Sequence, residues 1–173
     1  MKRIIYFLFK IFFGKNFANK NFSIRILFKH IILQKILRIN SNVTWPVHWS
    51  TQVKFPQNIK KGSRCPGMSM GCYLDGRNGI NIGNNVWIGP KVSIISMNHD
   101  INNFEKYIKN TPIIIGDNCW IATGVTILSG VTLGPHTIVA AGSVITKSFP
   151  DGNQMLGGVP AKVIKKIDQY SEK

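Results

Sequence analysis

The sequence predicts an all-β fold, a parallel β-helix of six-residue units, and three observations support this prediction. From residue 115 the chain repeats every six residues, with Ile, Leu or Val at each first position and small or apolar residues at each fifth. Alternate side chains of a strand face the same side, so these two positions would share one interior. The period recurs upstream. A six-residue period without hairpin turn dipeptides also suits coils better than the competing antiparallel sandwich.

The residues expected in the interior follow directly from this frame. The first positions are Ile115, Ile121, Ile127, Leu133, Val139 and Ile145, and the fifth positions are Cys119, Val125, Val131, Thr137, Ser143 and Phe149. Each hexad supplies a short strand and a corner, where small second-position residues permit close backbone approach. Each coil leaves apolar edges that only another coil covers, so several coils must stack.

The frame also sets the expected limits of the β-helix, which we place at residues 43–160. Upstream first positions fall at Ile82, Ile88 and Ile94. A weaker version has first positions at Val43, Trp49 and Phe55 and fifth positions at Val47, Val53 and Ile59. Residues 100–112 are polar and break the repeat, so we expect an excursion loop there, and long excursions from a regular scaffold are often functional. Residues 161–173 are expected to form a short basic helix.

The N-terminal segment, residues 1–42, is expected to be helical, basic and amphipathic. The formal net charge is +15, and no acidic residue precedes Asp75. Neither apolar stretch, residues 4–13 or residues 22–39, has the roughly 20 uninterrupted apolar residues that span a bilayer. Two explanations stay open: helices that lie on an anionic membrane, and helices that pack on the domain or on a neighbouring subunit. Nucleic-acid binding is the weakest interpretation of the charge, because no recognisable binding module is present.

The three cysteines, Cys65, Cys72 and Cys119, are too few and too awkwardly spaced for a disulfide framework or a zinc site. We therefore expect a reducing, cytoplasmic location, with peripheral contact at the inner face of the membrane as one option.

The strongest motifs resemble a known family. The run from Pro112 to Pro150 followed by GGVPAKVIKKI resembles the hexapeptide-repeat acetyltransferases, within the galactoside, maltose and polysaccharide O-acetyltransferase branch. The sequence GCYLDGRNGINIG and the basic N-terminus look like members that assemble colanic acid, capsule or lipopolysaccharide. This resemblance implies a left-handed parallel β-helix and a homotrimer, with acetyl-CoA lying in a groove between adjacent subunits.

His99 is the expected catalytic base. It ends the hexad IISMNH just before the excursion and matches the catalytic histidine of the family. A neutral imidazole can take a proton from a sugar hydroxyl as that oxygen attacks the thioester. Asp100 should point the opposite way along an extended strand, so it is not assigned to orient His99. The other histidines, His30, His48 and His136, do not form the three-ligand pattern of a zinc enzyme, so no metal is expected.

The resemblance also assigns binding residues by their motifs. For the cofactor these are Thr123, Ala141, Thr146, Lys147, Lys162 and Lys165, and for the acceptor they are Asp75, Asn78, Asn98 and Trp120. Lysines replace the arginines that several family members carry at positions 162 and 165, which keeps the charge but loses bidentate geometry. Cys119 should point inward and Trp120 outward, and no nucleophile lies beside a base, so we expect direct transfer.

The function that follows is acetylation of a saccharide hydroxyl during surface-polysaccharide synthesis. One alternative is N-acetylation of an amino sugar on the same scaffold, since an unprotonated amine needs less help from a base. A second alternative, from another class, is a structural β-helix that only mediates assembly. The presence of both His99 and the C-terminal basic motif disfavours that alternative.

Overall fold

The chain begins with a helical segment in which the two helices differ in how far they pack on the rest of the molecule. The computed structural model describes residues 2–18 and 22–171. Helix α1 spans Lys2–Phe13 and buries none of its residues, whereas α2, Ile24–Ile31, buries Leu27 and Ile31. The helical elements that follow α1 and α2 are a 3₁₀ turn at Lys15–Ala18 and a π-helical turn at Ile32–Ile36.

The packed part of this segment is anchored by a buried amide. The Gln34 side chain donates to the carbonyl of Trp45 at 3.1 Å and accepts from the backbone N–H of Val47 at 3.0 Å. Contact with the domain, rather than with a neighbouring subunit, therefore holds for the π-helical turn that follows α2. Within the described residues, none of the helices combines the length and the hydropathy that crossing a membrane requires.

The remaining chain winds into a β-helix with three faces. Face A consists of β1 (Gln52–Lys54), β3 (Tyr73–Asp75), β6 (Ser93–Ile95), β11 (Thr126–Ile127) and β14 (Val144–Ile145). Face B consists of β2 (Ile59–Lys60), β4 (Ile80–Ile82), β9 (Ile113–Ile115) and β12 (Thr132–Leu133). Face C consists of β5 (Trp87–Ile88), β10 (Trp120–Ile121), β13 (Thr137–Val139), β15 (Gln154–Gly158) and β16 (Ala161–Lys166). The chain passes from face B through face C to face A in each coil, which defines a B–C, a C–A and an A–B corner.

The interior is the one that the hexad frame predicts. All twelve first and fifth positions between residues 115 and 149 are at most 9% exposed. Neighbouring coils are parallel and in register, so Ile82 lies beside Ile115, and Ile115 beside Leu133. Gly116 lies at the B–C corner, where a Cβ would come within 2.7 Å of the Pro135 backbone nitrogen. The repeat therefore depends on small corner residues as well as on apolar interior ones.

Two parts of the sequence-based frame are wrong. In the first coil Val43, Val47 and Val53 are buried as expected, but Trp49 and Phe55 are exposed. Phe55 has a φ of 53°, so it lies in the left-handed conformation of a turn rather than in a strand, and its side chain leaves the interior.

The expected C-terminal helix is also wrong, because residues 161–166 form strand β16. This strand pairs antiparallel with β15, which itself continues face C in parallel with β13. The β-branched pair Val163 and Ile164 favours a strand, and the free edge of β15 supplies the backbone hydrogen bonds that a short isolated helix would have to make alone.

The excursion at residues 100–112 leaves the coil as expected, but it is more regular than a loop. Strands β7 (Asn98–His99) and β8 (Tyr107–Ile108) pair antiparallel, with His99 opposite Tyr107. We call this element the hairpin. The coil resumes at Ile113, which stacks in register on Ile80 of the preceding coil.

Adjacent isoleucines on β9 give a matched test of the interior, since Ile115 is 1% exposed and Ile114 is 42% exposed. Ile115→Ala should lower the free energy of unfolding by about 2–5 kcal/mol, because it removes buried methyl groups and leaves a cavity. Ile114→Ala should cost about 1 kcal/mol or less. Urea unfolding at one fixed protein concentration measures both, and equal losses would contradict the assigned orientation of β9.

Candidate active site

The hairpin that carries His99 leaves the molecule at the A–B corner and is fastened there by Asn78. The Asn78 amide donates to the Ser96 carbonyl at 2.9 Å and to the Ile108 carbonyl at 3.0 Å. The Ser129 hydroxyl of the next coil donates to the same Ser96 carbonyl at 2.7 Å. Both amide hydrogens of Asn78 are therefore used at the base of the hairpin. Asn98, by contrast, is exposed on β7.

His99 lies on the hairpin with its ring exposed and its tautomer defined. Its Nδ1 is hydrogen-bonded to the backbone carbonyl of Phe104. A carbonyl only accepts, so Nδ1 carries the hydrogen and Nε2 of the neutral ring keeps a lone pair. Asp100 does not orient the ring, since its carboxylate accepts from the backbone N–H groups of Asn102 and Asn103 at 2.8 and 3.1 Å. His99 thus presents a basic nitrogen at the surface.

An aromatic ring and an ion pair lie beside His99. The Tyr107 ring centroid is 4.8 Å from that of His99, and the Arg77 guanidinium carbon is 4.9 Å from the Tyr107 ring. Arg77 pairs with Asp75, its Nη2 lying 2.6 Å from one carboxylate oxygen and its Nε 3.0 Å from the other. Neither Arg77 nor Tyr107 was singled out from the sequence, because their proximity to His99 depends on the pairing of the hairpin and on coil stacking.

Asp75 differs from its expected role, because its side chain is 0% exposed and is bound to Arg77. Burial alone would raise the pKa of Asp75, but hydrogen bonds from the Arg77 side chain and backbone, together with the charge of Arg77, outweigh it and hold the pKa below its ordinary value. The hydrogen bond to Asp75 is likewise the main reason that the pKa of Arg77 is raised. The carboxylate is therefore ionised and occupied, rather than presented to an acceptor.

A groove along face C brings three of the expected binding residues together. Trp120, Thr123 and Ala141 line this groove, which has a volume of about 530 Å³ and also includes Pro90 and Met155. Trp120 is 54% exposed and points outward, as expected, while Cys119 is fully buried. We call this cavity the face C groove. Its mostly apolar lining, with a Trp side chain in one wall, suits a narrow aliphatic chain.

A second cavity of about 400 Å³ adjoins the groove at the B–C corner, and sequence reasoning did not find it. Its lining residues are Asn85, Trp87, Asn118, Trp120, His136, Ile138 and Tyr170. Tyr170 closes one side, with its hydroxyl 2.8 Å from the Asn85 amide nitrogen and its ring 5.2 Å from the His136 ring. No motif signals this cavity, because its walls come from three successive coils and from the C-terminal residues.

The lysines expected to contact the cofactor lie in two separate places. Lys162 and Lys165 are exposed on β16, opposite Gly157 and Met155 of β15. Because Met155 lines the face C groove, Lys165 lies next to it. Thr146 and Lys147 are exposed at the A–B corner, which is the corner of the hairpin. The predicted cofactor residues are therefore divided between the face C groove with its adjoining strand β16 and the A–B corner of the same chain.

The remaining reactive groups do not suggest a covalent intermediate. Burial raises the pKa of Cys119 to about 11 and that of Cys65 to about 11, so both thiols are protonated near neutral pH. Across residues 2–18 and 22–171, groups of three or more His, Cys, Asp and Glu side chains arranged to hold a metal ion are absent.

Comparison with known proteins places these features in a family. Residues 112–147 match the bacterial transferase hexapeptide family, six repeats. The chain is 39% identical over 94 residues to the galactoside O-acetyltransferase of Escherichia coli K12, covering 51% of this chain and 45% of that protein. The chain spans about half the length of this relative and of two yeast relatives.

Two further matches cover larger shares of both chains. A hexapeptide-repeat acetyltransferase of Vibrio cholerae O1 biovar eltor, solved with acetyl coenzyme A, superposes with a TM-score of 0.60 at 25% identity, covering 97% of this chain and 88% of that one. A protein of Escherichia coli K12 named as a colanic acid biosynthesis acetyltransferase is 34% identical over 129 residues, covering 74% of this chain and 68% of that protein. On this similarity, together with its repeat and its left-handed β-helix, the chain belongs to the hexapeptide-repeat acetyltransferase family.

Proposed function

We propose that this protein transfers the acetyl group of acetyl-CoA to a hydroxyl of a saccharide, with His99 as the general base. The observation that carries the proposal is the hydrogen bond from His99 Nδ1 to the Phe104 carbonyl, which leaves Nε2 as an exposed acceptor. Family membership and the named activities of the galactoside and colanic acid relatives support the reaction class.

The residues of the chain account for the proton transfers of such a reaction. Acetyl-CoA would supply the acetyl group as an activated thioester. His99 Nε2 takes the proton of the acceptor hydroxyl as its oxygen bonds to the thioester carbon. The Phe104 carbonyl stabilises the imidazolium that results, and His99 then delivers the proton to the departing sulfur. The buried, protonated thiols take no part in these steps.

The face C groove fits the pantetheine arm of coenzyme A. Its lining is largely apolar, and the exposed Lys162 and Lys165 lie on the adjoining strand, where cations can meet phosphates. Thr123 and Ala141 line the groove from the C–A corner. Asn98 and Trp120 stay our proposed acceptor contacts, and Asn78 acts indirectly by holding the hairpin.

We further propose that each active site forms between two chains of a homotrimer. His99, Thr146 and Lys147 occupy the A–B corner, whereas Thr123 and Ala141 occupy the C–A corner. A packed β-helix is rigid and does not bend to bring two of its own corners together. In the trimer that we propose, the A–B corner of one chain packs against the C–A corner of the next. His99 of the first chain then meets the face C groove of the second.

The location that we propose is the inner surface of an anionic membrane, where surface polysaccharides are assembled. The outer stripe of α1 consists of Ile4, Phe7, Leu8, Ile11 and Phe12, all at least 43% exposed. Lys2, Arg3 and Lys10 accompany this stripe, and Asp and Glu are absent before Asp75. Basic side chains near such a surface gain about 1 kcal/mol each, and apolar ones gain burial in the acyl boundary.

The base is tested by His99→Ala, with His48→Ala as the matched histidine control. His99→Ala should lower kcat at least about a hundredfold, because general-base help typically contributes about 10²–10⁴. The melting temperature should hardly change, since His99 is exposed. A coenzyme A release assay across sugars, nucleotide sugars and lipid-linked glycans measures turnover. Near-normal turnover of His99→Ala with the best acceptor would remove His99 from the mechanism.

The shared site is tested by complementation between two inactive variants. His99→Ala removes the base, and Ala141→Trp fills the face C groove from an exposed position. Trimers refolded from an equal mixture should regain activity, because roughly a quarter of the interfaces then combine an intact His99 with an intact groove. Each variant refolded alone is the control. A mixture that stays as inactive as its components would show that the site lies within one chain.

Membrane docking is tested with vesicles that contain phosphatidylserine. The intact protein should co-sediment, and high salt should weaken this binding because exposed charges are screened over about 8–10 Å. Phe7→Ser with Phe12→Ser should abolish it. Phe104→Ser, which removes an equally exposed Phe from the hairpin, should not. Binding that survives the α1 substitutions would place the lipid contact elsewhere.

A further inference from the structure

The hairpin that carries His99 is too small to hold itself in place. Its ladder consists of two residue pairs, and every residue from 101 to 110 is exposed. Short isolated hairpins are marginally stable in water. A base that acts by geometry must nevertheless be held close to its productive position, so contacts with the coils have to supply the restraint.

The side chains that supply this restraint form a continuous line from the core to the base. Asp75 ends β3 on face A, in register with Ile95 of β6, and is fully buried. It holds the Arg77 guanidinium by Nε and Nη2, so the planar group has one fixed orientation. Arg77 lies over Tyr107 within the range of a cation–π contact, about 6 Å, and Tyr107 lies against His99.

The charges of Asp75 and Arg77 favour a role in positioning His99 over recognition of a substrate anion. Asp75 balances the charge of Arg77 and occupies two of its nitrogens, and the Arg77 side chain is only 22% exposed. An arginine that binds a substrate anion would instead direct its fork into solvent. The part of Arg77 that faces the hairpin is used on the Tyr107 ring.

We propose that Asp75, Arg77 and Tyr107 form a brace that fixes the His99 imidazole, with Arg77 as the positioning residue. This inference rests on the proposed role of His99 as the base, and it assigns Asp75 to positioning rather than to the acceptor. Asn78 fastens the backbone of the hairpin, and the brace fixes the ring of His99.

The kinetic test removes the brace without leaving a buried charge unpaired. Asp75→Asn with Arg77→Met should lower kcat about ten- to a hundredfold, as expected when a catalytic group is misplaced by about 1 Å, while KM for acetyl-CoA stays within about twofold. Tyr107→Leu should lower kcat to a similar extent, because it removes both the ring and the hydroxyl that Arg77 meets. Adding Tyr107→Leu to the Asp75→Asn and Arg77→Met pair should lower kcat little further, because all three substitutions break the same series of contacts.

The matched control is Arg64→Met. Arg64 lies over the Trp87 ring at 3.4 Å, so it is a second arginine–aromatic contact, but on a different part of the molecule. Its loss should leave kcat unchanged. If the pair variant only lowers the melting temperature, and kcat well below that temperature equals the wild-type value, the brace is a stabilising contact and the proposal fails.

A spectroscopic readout separates this proposal from the proposed function. The His99 Cε1–H signal, identified by its loss in His99→Ala, should carry a ring-current shift from Tyr107. At one fixed pH, the Asp75→Asn and Arg77→Met pair should move this signal toward its position in Tyr107→Leu. A signal that stays at the wild-type position in the pair variant would refute the brace. If no acceptor supports coenzyme A release, the proposed function fails while this spectrum still decides the brace.

Discussion

The in-register stacking of equivalent coil positions is the constraint on which the rest of the structure depends. Backbone N–H groups donate to the neighbouring coil, as Gly83 does to the Ile115 carbonyl and Ser93 to the Val125 carbonyl, both at 2.8 Å. Any residue added within a strand would break this ladder and turn the interior side chains outward. The chain can therefore add residues only at a corner. The hairpin leaves at the A–B corner after Ser96, and the ladder resumes with Ile113 on Ile80.

This constraint explains which features the sequence predicts well. Interior positions such as Ile121, the inward Cys119 and the outward Trp120 depend only on the local six-residue period, and they lie where the period puts them. The place of His99 follows from the interruption of that period. Strand β16 and the contact between Arg77 and Tyr107 depend instead on which segment meets which edge, and local periodicity carries no information about such pairings.

The corners also divide the chemistry of the proposed reaction. A repeating coil presents similar surfaces at each level, so a base and a groove on one face would compete for the same outward positions. In this chain they lie at different corners, and the rigid interior keeps them apart. Under the proposed function, catalysis then requires assembly, because only a second chain brings a groove to the hairpin.

The hairpin lacks the coil-to-coil hydrogen bonds that hold the rest of the chain, and the brace offsets this loss of restraint. Side chains on a regular face are flanked by equivalent residues of the coils above and below, roughly 4.8 Å away, which leaves little space for an acceptor to approach. Moving His99 onto a hairpin frees its Nε2, but the hairpin loses the coil-to-coil hydrogen bonds that hold the rest of the chain. The backbone is held again by Asn78 through Ser96 and Ile108. The ring needs a separate restraint, and a buried carboxylate on β3 is a suitable anchor because it moves only if face A itself moves.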